Sequence, residues 1–242
     1  MGSTHPQELE LSAPNAADVA LDVLRSERPV LMLEMSSVHA LVAPATALGA
    51  RALDSTKERL PGKTYGSIIG LLAAFHGLAL PERLPSGFGE GERLALFEGA
   101  FVRIGVAPPE VSTPVVHQGS HQGLLFPEGD SQRRLAIALE AGLAELAEPE
   151  LFGGLRCSAP LCTSANLSGD PAGSITDEAR AAEFARERGV GLWLRGASDP
   201  SARGSYPIFQ LEAEGVTVAR DGPGRERIWD RLSQLSGEDG DG

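Results

Sequence analysis

Aromatic residues are scarce in this chain, with 8 Phe, 2 Trp and 2 Tyr among 242 residues. Its core must therefore be built mostly from Leu, Ala, Val and Ile. There are only two cysteines, Cys157 and Cys162, and no CxxC or Cys/His ligand framework, so a structural zinc site is disfavoured and two small buried thiols are expected. Runs of Lys and Arg are also missing, and the formal net charge is −12. An acidic chain repels polyanions, so direct, stable nucleic-acid binding is not expected. A compact anion is a different case, because a few focused cations can hold one phosphate group. No apolar run approaches membrane-spanning length, and Met1 to Leu9 lacks the basic-then-apolar pattern of a signal. These absences predict a cytoplasmic protein with no membrane partner.

The length suits one well-buried core. Polar, glycine-rich or acidic ends predict mobile tails over 1–12 and 236–242, flanking a single domain over 13–235. Within it, Ala16–Ser26 reads as a helix capped by Asn15, Pro29–Met35 as a buried strand and Ala45–Lys57 as a second helix. Residues 60–66 form a loop, 67–80 fit either strand or helix, and 83–93 form a mobile glycine-rich loop. A strand over 100–106 and an irregular connection over 108–129 come next. Ser131–Ala147 is an amphipathic helix with Leu135, Ala138, Leu139, Leu143 and Leu146 on its apolar side. Then follow a strand at 160–163, a helix over 177–188, strands at 190–194, 206–211 and 215–219, and a helix over 225–235. Elements in this order predict an α/β fold: an open, twisted mixed sheet with helices on its faces.

Three segments carry the chemistry. Thr163-Ser164-Ala165-Asn166-Leu167-Ser168-Gly169 places small hydrogen-bonding groups just past a strand end, where ligands settle in open α/β sheets. A self-satisfied Ser/Asn turn would look the same. Lys57, Arg59 and Lys63 gather three cations at a helix end that breaks into a Pro-Gly loop. They suit a di- or triphosphate, or alternatively a solvated helix terminus that complements the macrodipole. The third segment is a hairpin with Ser205 at its entry and Arg220-Asp221-Gly222 at its exit. His117 and His121 have the spacing of metal ligands on a helix, but Gly119 lies between them and no Glu follows His117, so no metal site is expected.

Together these segments resemble the YrdC-like threonylcarbamoyl-adenylate synthases. Lys57, Arg59 and Lys63 match that family's K-x-R and following Lys, and Thr163 to Gly169 match its T-S-A-N-x-S-G letter for letter. Ser205 and Arg220-Asp221-Gly222 match its later Ser and Arg-x-Gly. The likeness runs from about Ala17 to Ile228. The family's Pro-Thr-Asp-Thr-Val-Tyr-Gly-Leu reads here Glu34-Met35-Ser36-Ser37-Val38-His39-Ala40-Leu41, and its Pro-Gly-Pro-x-Thr has no counterpart.

The resemblance implies a YrdC-like fold and a nucleotidyltransferase. Such an enzyme would join ATP, held with Mg²⁺, to bicarbonate and an amino acid, giving an N-carboxy-amino-acid adenylate and pyrophosphate. Lys57, Arg59 and Ser164 would be catalytic. Arg59, Lys63, Thr163, Ser164, Asn166, Ser205 and Arg220 would hold the nucleotide, while Ser37, His39 and Lys57 would face the amino acid. The partners would be these small molecules and a downstream carbamoyl-transferring enzyme. The rewritten 34–41 segment implies an acceptor other than L-threonine. Two other readings stay open: an enzyme making or using a carbamoyl-adenylate in a biosynthetic pathway, and a non-catalytic nucleotide- or RNA-binding module.

Overall fold

A computed structural model describes residues 5–89, 91–199 and 201–238. In chain order the elements are β1 (Gln7–Glu10), α1 (Ala16–Leu24), β2 (Leu31–Glu34), β3 (His39–Ala43), α2 (Ala47–Lys57), β4 (Gly66–Ile68), α3 (Leu72–Leu78), α4 (Gly91–Leu94), β5 (Ala100–Arg103), β6 (Val116–His117) and β7 (Ser120–His121). They continue with β8 (Leu124–Phe126), α5 (Gly129–Gly142), β9 (Leu161–Ser164), α6 (Glu178–Arg188), β10 (Leu192–Arg195), β11 (Ile208–Glu212), β12 (Gly215–Arg220) and α7 (Arg225–Glu238). Ten strands form one mixed sheet in the order β1-β10-β2-β3-β9-β4-β8-β5-β11-β12, and β6 with β7 makes a separate hairpin.

The period-2 alternation of a strand sorts side chains onto opposite faces, and here it divides the core in two. Met32, Leu41 and Ala43 join α2, α3 and α6 residues such as Leu53, Phe75 and Phe184. Leu31, Leu33, Ala40 and Val42 join α1 and α5 through Ala20, Leu24, Leu135 and Leu139. Helices therefore cover both faces of an open mixed sheet, the α/β architecture the element order implied. Local signals fix the helix ends. Thr46 Oγ1 accepts from Gly49 N at 2.9 Å and Asp177 Oδ1 from Arg180 N at 3.0 Å, both ordinary N-caps. Asn15, expected to cap α1, makes no such bond.

Several boundaries differ from the sequence reading. Gln7–Glu10 lies inside the expected N-terminal tail yet pairs with β10 as an edge strand. Arg195 explains this, since its guanidinium binds Glu8 at 2.7 Å, Glu34 at 2.9 Å and Glu178 at 2.7 Å while lying over the Trp193 ring. Residues 236–238, expected in the acidic tail, continue α7; 1–4 and 239–242 lie outside the described residues. The ambiguous stretch 67–80 is both things in turn, β4 and then α3. The connection over 108–129 holds β6, β7 and the sheet strand β8, and the loop over 83–93 runs into α4. Helix α5 ends at Gly142, which leaves Leu146 44% exposed.

Two histidines are buried inside this frame. His121 stacks on Phe152, accepts from Gly123 N at 2.9 Å through Nδ1 and sits 3.3 Å from Ser67 Oγ through Nε2. Burial pushes its pKa down to about 3. His39 packs edge-on against Trp193, and burial also lowers its pKa, against the pull of nearby Glu34. Each is neutral when folded and free to charge when unfolded, so the unfolded chain binds more protons below about pH 6.5. Stability should therefore fall as pH drops from about 6.5 towards 3, with a limiting slope of about 1.4 kcal/mol per pH unit for each proton. Urea unfolding between pH 8 and 5 measures this, and His39→Gln should flatten the slope.

Candidate functional site

The ends of β9, β12 and α2 and the starts of β3, β4 and β11 meet around one cleft of about 260 Å³. Arg59, Lys63, Thr163, Ser164, Asn166, Ser205 and Arg220, which the resemblance gave to the nucleotide, all line it, and so does Lys57, which it gave to catalysis and the amino acid. The chain has only two lysines, Lys57 and Lys63, and both are here. Four cations face the cleft, and no Asp or Glu lines it among the described residues.

Helix α2 delivers the first two cations. It ends at Lys57, and Glu58 takes the left-handed conformation (φ 48°), which turns the backbone so that Arg59 re-enters the cleft. A non-glycine residue there costs about 1 kcal/mol. The Lys57 side chain, 3% exposed as a residue, points inward and donates to Ser164 O and, at 3.2 Å, to Asn166 Oδ1. Burial, then Arg59 and Lys63, push its pKa down to about 7. Arg59 lies over the Tyr65 ring at 3.9 Å and donates to Lys63 O at 3.2 Å, to Thr163 Oγ1 at 3.4 Å and to Thr64 O. Tyr65 is fixed in turn by donating to Asp54 Oδ1 at 2.5 Å.

The Thr163–Gly169 turn forms the facing wall. Ser164 Oγ donates to Asn166 Oδ1 at 2.6 Å, Asn166 Nδ2 donates to Leu167 O at 2.7 Å, and Ser168 N donates to Lys57 O at 2.9 Å. The turn is thus tied to the end of α2 by side chain and backbone alike. On the opposite wall Arg220 donates twice to Tyr206 O, at 2.6 and 3.2 Å, and Ser205 Oγ pairs with Ser174 Oγ at 2.6 Å. The Arg-Asp-Gly exit has a steric reason: a Cβ on Gly222 would lie 2.4 Å from Ser205 O and 2.6 Å from Pro207 N.

Ser37 and His39 do not line the cleft. Met35, Val38 and Ala40 do, and alternation along β3 turns His39 to the opposite face, beneath Trp193. Ser37 is buried, and its carbonyl accepts from Gly204 N at 3.0 Å, which holds the loop against the Ser205 wall. The expected contact of these two side chains with a substrate is therefore not met by their placement. The sequence reading missed Thr64, Gln122, Phe101, Leu125, Ile208 and Tyr206.

No protein-family model matches the chain, and no curated protein sequence does either. Solved structures do match. P. abyssi Sua5, solved in complex with L-threonine, aligns with a TM-score of 0.63 at 17% identity over 90% of this chain. E. coli YciO aligns with a TM-score of 0.62 at 13% identity over 92% of this chain and 96% of its own. The fold is YrdC-like. Full-length HypF, in its phosphate- and nucleotide-bound form, shares the same fold over 88% of this chain and 30% of its own, at 16% identity and a TM-score of 0.60. The chain spans 58–60% of the length of the two P. abyssi Sua5 structures.

The two-lysine composition makes the cleft's electrostatics directly observable. Protein labelled with ¹³C-lysine should give two ε-carbon signals, one of them titrating near pH 7. Sulfate, whose own charge is fixed across pH 6–9, should move that midpoint upward, because an anion stabilises the charged ammonium. Sulfate binding should therefore tighten as pH falls through 7, and Lys57→Gln should abolish the pH dependence.

Proposed function

We propose that the cleft binds ATP through its phosphates and forms a carbamoyl-type adenylate. One observation carries this reading: four cations converge on one cleft without a lining carboxylate, in a chain of net charge −12. The four make no ion pair among the described residues. A positive cleft in an acidic molecule is built for a compact anion. The YrdC-like fold and the letter-for-letter T-S-A-N-x-S-G turn favour a nucleotide.

In this reaction a carbamate oxygen attacks the α-phosphorus of ATP, the bond to the β-phosphate breaks, and pyrophosphate leaves. Negative charge gathers on the leaving group, and fixed cations stabilise it without reorganising. An ammonium has three donors and Lys57 uses two, so one remains for substrate. Three of Arg59's five donors are committed, which leaves two for the phosphates. Lys63 extends the same wall towards the β- and γ-phosphates. Thr163, Ser164 and Asn166 address the α-phosphate and carbamoyl oxygens, and the Ser164 hydroxyl, which donates to Asn166 Oδ1, must turn to do so. Ser205 and Arg220 close over the nucleotide. With no carboxylate in the lining, Mg²⁺ would come as part of the ATP complex, held by phosphate oxygens and water.

P. abyssi Sua5 binds L-threonine, and an amino acid carboxylated with bicarbonate is the corresponding acceptor here. The product would pass to a carbamoyl-transferring enzyme downstream. Arg59→Ala should weaken ATP binding by about 1.5–3 kcal/mol, the range for hydrogen bonds to a charged group. Calorimetry on the folded variant measures this. Pyrophosphate release from MgATP with bicarbonate and amino acids, and separately with carbamoyl phosphate, tests the chemistry. ATP binding without release under either condition would make the chain a nucleotide-binding module.

A further inference from the structure

Helix α5 covers the sheet with one face and leaves the other in solvent. Exposed Arg134, Ile137 and Ala141 follow one another at spacings of three and four residues, so they stand in one row along the helix. The chain keeps winding past Gly142, with Leu143 N on Leu139 O at 2.9 Å and Ala144 N on Ala141 O at 3.4 Å, and exposed Ala144 and Glu145 extend the row. Beside it, β4 turns into α3. A Cβ on Gly70 would lie 2.4 Å from Ile137 N, and Glu140 accepts from Gly70 N at 2.8 Å and Leu71 N at 3.1 Å. These contacts pin Leu71 beside α5. Leu71, Leu72 and Ile137 nevertheless stay 41%, 42% and 37% exposed.

This bare face is also locally free of charge. From Tyr65 to Leu80 the sequence has no Asp, Glu, Lys or Arg, in a chain where these residues make up 22%. An adjoining set of exposed Leu and Ile side chains, rimmed by polar residues, marks a contact with another macromolecule. The charges at the two ends of the row select the partner. Arg134 bonds only Ser131 Oγ, at 3.1 Å, and neither Arg134 nor Glu145 makes an ion pair among the described residues. They stand about three turns apart on the same side of the winding. A second α5 laid antiparallel on the first brings Arg134 of each copy to Glu145 of the other, and one two-fold axis satisfies both charges. Two molecules of net charge −12 repel where their acidic surfaces meet, and this face avoids that cost.

We propose that the exposed face of α5, with Leu71 and Leu72, is a two-fold contact with a second copy of this chain, α5 packing antiparallel on α5. The axis passes midway between Ala138 and Ala141. Ile137 of each copy then lies over Ala141 of the other, and Leu71 and Leu72 flank the pair. Arg134 and Glu145 form an ion pair at each end. None of these residues lines the cleft, so the inference stands apart from the adenylate reading.

Sedimentation velocity on the full chain, over a range of concentrations, tests this. The chain should reach twice its 25.3 kDa as concentration rises. A monomer at every soluble concentration would overturn the proposal and leave the face to a different protein. Ile137→Arg should weaken the dimer at least about tenfold by placing unpaired charge in the contact. Arg134→Glu and Glu145→Arg should each do the same by setting like charges together. Mixed in equal amounts, the Arg134→Glu and Glu145→Arg chains should dimerise with each other, because every end contact then joins opposite charges. That recovery would also show that both variants are folded. A dimer that survives Ile137→Arg would lie elsewhere on the molecule and overturn the inference. Single charge variants that stay monomeric when mixed would overturn the antiparallel pairing.

Discussion

Lys57 ends helix α2 with its ammonium turned away from solvent, towards a carbonyl and an amide oxygen and no carboxylate. Desolvating an ammonium costs several kcal/mol, and neutral acceptors return only part of that. The surrounding backbone is arranged around this one buried charge. The helix must stop at residue 57 for the side chain to reach Ser164 O at the end of β9. Glu58 must then enter the left-handed region to bring Arg59 back, and Ser168 N must close on Lys57 O to hold the turn. Clustering Lys57 with Arg59 and Lys63 is thus electrostatically costly, a cost that a nearby anion would offset.

The sheet decides which side chains share in that cleft. β9 runs antiparallel to both of its neighbours, β3 and β4, in the middle of the sheet, with Ala40 opposite Ser164 and Gly66 opposite Cys162. Small residues on these central strands leave a depression, and a Cβ on Gly66 would already touch Phe101 at 2.7 Å. Towards β12 the row continues through Leu125, Phe101 and Ile208, which stand opposite one another across β8, β5 and β11 and end at Arg220. The cleft therefore has cations at its two sides and an apolar floor at one end. Cys162 on that floor is buried, which raises its thiol pKa and keeps it protonated and unreactive.

How much of this could be read from sequence follows from the range of each signal. The amphipathic face of α5 and the strand that leads into the Thr163–Gly169 turn are local, and they read correctly at Leu135, Leu139 and Thr163, whereas the cap expected at Asn15 did not form. Pairing is not local. β3 is buried along its whole length, so His39-Ala40-Leu41-Val42-Ala43 shows no polar alternation to mark it as a strand. β8 is three residues long, too short for any period, and Gln122 reaches the cleft only because β8 pairs with β4 and β5. β1 was hidden by its composition: Gln7-Glu8-Leu9-Glu10 looks like a solvated tail, and only the distant Arg195 makes Glu8 a structural residue. His39 was misread for a related reason, since aligning letters says nothing about which face of a strand a letter occupies.

The acidic exterior and the basic cleft act on ligands over different distances. Charges farther apart than a Debye length, about 8 Å at physiological ionic strength, are largely screened. The net −12 therefore resists the approach of any anion mainly in dilute salt, and added salt should ease the encounter. Inside the cleft the separations are shorter and the surroundings drier, so Lys57 and Arg59 are screened much less. Moderate salt then weakens the long-range repulsion more than the short-range attraction. In this molecule the association rate and the bound-state lifetime need not respond to salt with the same sign.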